Sequence, residues 1–174
     1  MNYGGIGAVI GHEIVHSFDD TGAKFDARGK LENWWTKEDE ARFQAAGKAL
    51  TEQYNAYKPL PDLAVNGDLT LGENIADVAG VAVAYDAYKL SLGGKPAPVI
   101  DGFSGDQRFF LGFAQVWRNK YREPMLRRIL MTDGHSPGEY RASTVRNLDA
   151  WYQAFEVAPG QSLFLTPEQR VRIW

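Results

Sequence analysis

The chain has 174 residues, 44% of them hydrophobic and 24% charged, with a formal net charge of −3 and an isoelectric point near 5.6. That length suits one domain with a sizeable core, and the charge balance excludes the basic footprint of a nucleic-acid-binding surface. Cysteine is absent, which excludes disulfides and thiolate metal sites and leaves any metal to imidazole and carboxylate.

The opening "NYGGIGAVIGHEIVH" reads as the interior of a helical region rather than a natural start, so the chain is expected to be a piece of a longer protein. A first helix is predicted from about Gly5 to Phe18. Its glycines at 4, 5, 7 and 11 each weaken it by roughly 1 kcal/mol relative to alanine, so it requires close tertiary packing. Residues 19–35 read as a loop, with Gly22 and "DARG" as turn signals. Thr36 and an acidic first turn open a second helix, which carries Phe43, Ala46, Leu50 and Tyr54 at helical spacing and is ended by Pro59 and Pro61. An alanine-rich apolar helix over 73–92 is expected to be buried on several sides. Ser104 to Lys120 is predicted as a further helix, with Phe109, Phe110, Phe113 and Trp117 as core. Trp34 and Trp35 are expected to pack below the site, and the basic residues of 117–130 to form a solvated face. Shorter helices are predicted at 122–131, 138–157 and 166–171. No apolar run approaches the ~18 residues of a membrane span. Strand-like alternation is nearly absent, and the fold class is mainly α.

Two of the three histidines lie in "VIGHEIVHSFDD". Residues i and i+4 share one face of a helix, so His12 and His16 point the same way and suit two imidazole ligands on one zinc. Glu13 is rotated off that line and can take a proton from water at the metal's open position. Such a pattern also arises by chance in about one in several hundred chains of this length, and stacked histidines can be satisfied core groups. A catalytic zinc requires a third protein ligand, and without cysteine a carboxylate is the candidate. Glu73 and Asp77 lie four apart near the start of the alanine-rich helix, a mildly unfavourable pairing that is costly when buried without cations. Zinc on Glu73 and an imidazole N–H on Asp77 would meet that need. The alternative, that acids decorate helix N-termini, explains Glu73 well and Asp77 less well.

Two other patterns fail. "GHSPG" (134–138) fits a serine-hydrolase nucleophile elbow formally, but Pro137 lacks the required backbone N–H and no histidine follows His135. "GGIGAVIG" (4–11) has no preceding strand and the wrong spacing for a dinucleotide loop.

The blocks "NYGGIGAVIGHEIVHSFDDTGAKFD", "NWWT", "LGENIAD", "GDQRFFLGFAQVWR" and "DGHSPGEYR" run in order through nearly the whole chain. Together they resemble the C-terminal catalytic part of neprilysin-type zinc metallopeptidases, and the lack of cysteine is closer to bacterial members. The resemblance implies a thermolysin-like helical subdomain over 1–174 holding one Zn2+ through His12, His16 and Glu73. Glu13 would be the general base, Asp77 would fix the tautomer of His12, and His135, oriented by Asp133, would stabilise the oxyanion. Arg141 would hold a substrate carbonyl. It also implies peptide substrates, an extracytoplasmic (periplasmic or secreted) location, and a partner in the upstream region of the same polypeptide, which in this family supplies a substrate-pinning edge strand and a large access-restricting domain. Neither nucleic acid nor membrane is an expected contact of this segment. Departures from the family pattern are Ser17 for glycine, "DVAG" (77–80) for "DNGG", and a tail without cysteine. The competing reading is a catalytically inert zinc-binding fragment that needs its N-terminal part. A thermolysin-like protein outside this family is a third reading, against which the later blocks argue.

Overall fold

The computed structural model describes residues 1–174, which form helices and loops with three isolated β-bridges and no strand. The first predicted helix is one continuous coil in three registers: a π turn at Tyr3–Gly7, α1 (Ala8–Val15), and a 3-10 turn at His16–Phe18. No side chain caps α1, and its glycines weaken it, so its stability comes from its neighbour α3 (Leu71–Ser91). A Cβ built on Gly11 would lie 2.5 Å from the Gly80 carbonyl oxygen, and one on Gly80 would lie 2.4 Å from the His12 backbone nitrogen. Only two glycines allow this main-chain contact, and it sets His12 beside the first turns of α3. The outward side of this coil exposes Ile6, Ile10 and Ile14.

The α2 helix (Lys37–Asn55) starts where predicted: the Thr36 hydroxyl accepts from the Asp39 backbone N–H at 3.1 Å, and Glu38, Asp39 and Glu40 fill the first turn. Its Leu50 and Tyr54 pack with Val15, Ile75, Ala76 and Ala79 in one core. Complete burial of Leu50 contributes about 1.5–3 kcal/mol. Ser104 and Gln107 cap α4 (Gly105–Val116) reciprocally, and its Phe109, Phe110 and Phe113 form a second core with Ala8, Val81, Val145 and Leu148. Between the two cores runs α3, buried continuously from Asn74 to Val81, as its composition implied. Trp35 stacks with Trp174 at 5.5 Å and approaches Phe43 at 5.2 Å, while its indole N–H donates to the Ala23 carbonyl. Trp35 therefore ties the 19–35 loop to α2.

The chain continues through α5 (Glu123–Thr132), α6 (Gly138–Ala142), a 3-10 stretch at Ser143–Asn147 and α7 (Asp149–Phe155), and a 3-10 turn at Pro167–Gln169. The single helix expected over 138–157 is thus broken. Asn147 is the cause: its side chain exchanges two hydrogen bonds with Gln53 and accepts from the Val171 backbone N–H. Those tertiary bonds pull the chain out of helical register, and Leu148 becomes extended. No helix is long and apolar enough to cross a membrane.

Candidate metal centre

Each histidine of the motif has one ring nitrogen committed to a carboxylate. His12 Nδ1 donates to Asp77 Oδ1 at 2.9 Å, and His16 Nδ1 donates to Asp19 Oδ2 at 2.7 Å. A ring that gives its Nδ1 proton to a carboxylate leaves Nε2 with a bare lone pair. The two Nε2 atoms face each other at 3.0 Å, an arrangement that is repulsive unless a cation lies between them. Glu73 Oε2 completes the group at 3.1 Å from His12 Nε2 and 3.7 Å from His16 Nε2. That oxygen is buried and has no hydrogen-bond partner. Ligands about 2.0–2.1 Å from a tetrahedral zinc stand roughly 3.3 Å from one another, so the observed triangle fits zinc, as does its two-imidazole, one-carboxylate donor set.

The electrostatics agree. Burial pushes the His12 pKa down, but the adjoining carboxylates of Asp77 and Glu73 outweigh it and raise the value to about 9. Burial raises the Glu73 pKa, and His12, His135 and His16 more than reverse this, leaving it lowered. A site that draws a proton onto a buried imidazole so strongly is one that a dication can occupy in its place.

The other residues singled out in the sequence gather here too. Asp77 is 2% exposed and also binds Arg141 through two hydrogen bonds, from Nε and Nη2, each 2.8 Å long. The Arg141 guanidinium lies 3.9 Å from the centre of the Trp117 ring. Asp133 Oδ1 accepts from both the backbone N–H and Nδ1 of His135, at 2.9 and 2.8 Å. That turns His135 Nε2 toward Glu73 Oε2 at 3.2 Å. Glu13, His12, His135 and Arg141 line one cavity of about 110 Å3, whose apolar wall includes Val9, Phe113, Val116 and Trp117. Phe113 and Trp117, read from the sequence as core, therefore also border the site.

Asp19 is the residue that sequence reasoning missed. It is 7% exposed, and its second oxygen accepts from the backbone N–H groups of Thr21 and Gly22 at 2.8 and 2.7 Å. Gly22 is required there, because a Cβ would meet the His16 carbonyl oxygen at 2.0 Å. The signal was an acid three residues past His16, within reach of that ring from the following turn.

A helix bearing H-E-x-x-H, crossed by a second helix that contributes a glutamate, defines the helical zinc-peptidase class of metal centre. The chain belongs to peptidase family M13, whose model matches residues 1–171. Neprilysin-1 of Caenorhabditis elegans is 42% identical over 181 aligned positions, covering 100% of this chain and 24% of that protein. Human neprilysin is 40% identical over 183, with coverage of 100% and 24%. Among solved structures, the Mycobacterium tuberculosis zinc metalloprotease ZMP1 in complex with an inhibitor matches with a TM-score of 0.97 at 56% identity, over 99% of this chain and 27% of that one. PEPO from Lactobacillus rhamnosis HN001 matches at 0.85 and 41%, over 99% and 26%. The chain thus spans about a quarter of the length of the relatives it matches.

Proposed function

We propose that this chain carries the catalytic centre of a zinc-dependent endopeptidase, with His12, His16 and Glu73 as the metal ligands and Glu13 as the general base. The observation that carries the reading is the Nε2–Nε2–Oε2 triangle, with both Nδ1 protons bound by Asp77 and Asp19. Zinc held there would supply Lewis acidity, lowering the pKa of a water from about 15.7 toward 7 and polarising a peptide carbonyl. Glu13 takes the proton of the attacking water and passes it to the leaving amine as the C–N bond breaks. His135 in its imidazolium form, with Nδ1–H held by Asp133, donates its second N–H, from Nε2, to the developing oxyanion. Asp77 holds His12 in the tautomer that exposes Nε2, and it also holds Arg141, which bonds a substrate carbonyl.

We further propose that the substrates are peptides, that the location is extracytoplasmic, and that an upstream region of the same polypeptide completes the substrate site. The first two rest on the family. The third is supported by the exposed Ile6, Ile10 and Ile14 along the metal-bearing coil, an apolar stripe that water covers poorly.

The test measures zinc content and hydrolysis of an internally quenched peptide, with and without a phosphoramidate inhibitor. The expected result is one zinc per chain and inhibitable cleavage. Glu13→Gln should retain the zinc and lose at least a thousandfold in kcat; near-normal turnover would overturn the assignment. Stoichiometric zinc without cleavage by the 174-residue chain, alongside cleavage by a form with its upstream region, would identify the chain alone as an inert metal-binding part.

A further inference from the structure

The mechanism above leaves one buried polar group on the metal-bearing turn of α3 without a task. Asn74 lies between Glu73 and Asp77 and is completely buried. A side-chain amide in such a place requires partners for its donors and its acceptor. Its Nδ2 donates to Thr70 Oγ1 at 2.9 Å, and its Oδ1 accepts from Ser136 Oγ at 2.9 Å. Thr70 Oγ1 in turn donates to the Asn66 carbonyl at 3.0 Å. The result is a directed chain, Ser136 to Asn74 to Thr70 to Asn66, with Ser136 and Thr70 each 3% exposed.

Ser136 immediately follows His135, as Asn74 immediately follows Glu73. The pairs 73·135 and 74·136 therefore lie side by side, one at the metal centre and one sealed behind it. His135 itself is half exposed, and its ring is held by Asp133 of the same short loop. That bond fixes the ring within the loop but fastens the loop to nothing else. The Ser136 hydroxyl makes that fastening, and makes it to the turn that supplies Glu73. The bond is neutral, so it adds no charge beside the metal ligands, and directional, so it sets one register where an apolar pair would allow sliding.

We propose that Asn74 and Ser136 are positioning residues, and that their hydrogen bond holds His135 at the distance from the metal centre at which it can stabilise the oxyanion. The proposal rests on the reading of His135 given above. Loss of the bond leaves Asn74 Oδ1 buried and unpaired and frees the loop to move by the ångström or so that matters to a catalytic donor.

The test is a double-mutant cycle in the complete, zinc-loaded enzyme: unmodified, Ser136→Ala, His135→Ala, and both together. Ser136→Ala is expected to lower kcat about tenfold, with KM and zinc stoichiometry unchanged. In the His135→Ala background the same change is expected to cost less than twofold, since the residue it positions is gone. A role in general stability would instead act equally in both backgrounds, and that additive result would overturn the proposal, as would undiminished kcat in Ser136→Ala. If Ser136→Ala yields no folded protein, Thr70→Val breaks the far end of the chain. It is then expected to cost about threefold, with the same dependence on His135. An unmodified protein without zinc, or one indifferent to His135→Ala, overturns the underlying reading. A normal His135→Ala effect with additive Ser136→Ala behaviour overturns the positioning role alone.

Discussion

Replacing Gly80 by alanine tests whether main-chain contact between α1 and α3 builds the metal centre. The added methyl would lie 2.4 Å from the His12 backbone nitrogen, 2.7 Å from its Cα and 2.9 Å from the Gly11 carbonyl carbon. Relaxed carbon contacts lie at about 3.5–4.0 Å, so α1 must withdraw by roughly 1 Å. Overpacking of this kind costs about 1–3 kcal/mol, and the better helix propensity of alanine returns up to about 1. Taking about 2 kcal/mol for the overpacking leaves a net loss of about 1–2 kcal/mol, a melting temperature lowered by roughly 2–8 °C for a domain of this size. The effect on the site is larger. His12 Nδ1 is 2.9 Å from Asp77 and its Nε2 is 3.1 Å from Glu73; another ångström takes the first beyond hydrogen-bond range and the second beyond the roughly 3.3 Å spacing of two ligands on one zinc. Loss of an orienting partner costs about 10–100-fold in metal affinity. Competition against a chromogenic chelator measures that affinity, and melting of the metal-free protein measures the packing cost. Gly5→Ala is the control, since a Cβ there meets nothing within 4 Å, and it should be neutral or slightly stabilising. A Gly80→Ala protein with unchanged zinc affinity and an unchanged melt would refute the reasoning.

Asp19→Asn should weaken zinc binding about 10–100-fold while leaving the metal-free melt nearly unchanged. The single amide oxygen can still accept from Thr21 and Gly22, but the amide NH2 then faces His16 Nδ1 and drives the proton onto Nε2, where the metal must bind. Nitrogen NMR of the His16 ring reads that tautomer directly, and unaltered affinity would sink the idea. The metal-free protein should also lose stability with rising pH. Despite burial, the adjoining carboxylates of Asp77 and Glu73 raise the His12 pKa from 6.5 to about 9. Because the folded value exceeds the unfolded one, the stabilisation is complete below about pH 6.5 and is lost as pH rises through about 9. Melting temperatures between pH 6 and 10 should therefore fall in the metal-free protein, whereas the zinc-loaded form should lack that slope. Parallel profiles for the two forms would contradict this account of His12.

What could be read along the chain was local. The helical spacing of His12 and His16, the acids at 73 and 77, and the Thr36 cap are features of a few neighbouring residues, and the folded chain keeps each of them. What could not be read depends on distant partners. The glycines of the first helix implied a close neighbour but not that Gly80 would be it. Arg141 reaches Asp77 across 64 residues, a contact that no spacing announces. Asp19 sits in a stretch read as loop, where an acid ordinarily faces water. Trp117 followed three phenylalanines on an apolar flank and read as core, yet it carries a guanidinium on its face. The break at Leu148 follows from Asn147 preferring Gln53 and Val171 to its own helix.

The first turns of α3 bind three separate parts of the chain: Asp77 and Glu73 meet α1, Asn74 meets the loop at Ser136, and Asp77 meets α6 through Arg141. A rod that serves so many neighbours cannot tilt for one without disturbing the rest. Removal of the ion should therefore loosen all three attachments together while the fold persists, so that a strong chelator lowers the stability of the whole region rather than of α1 alone.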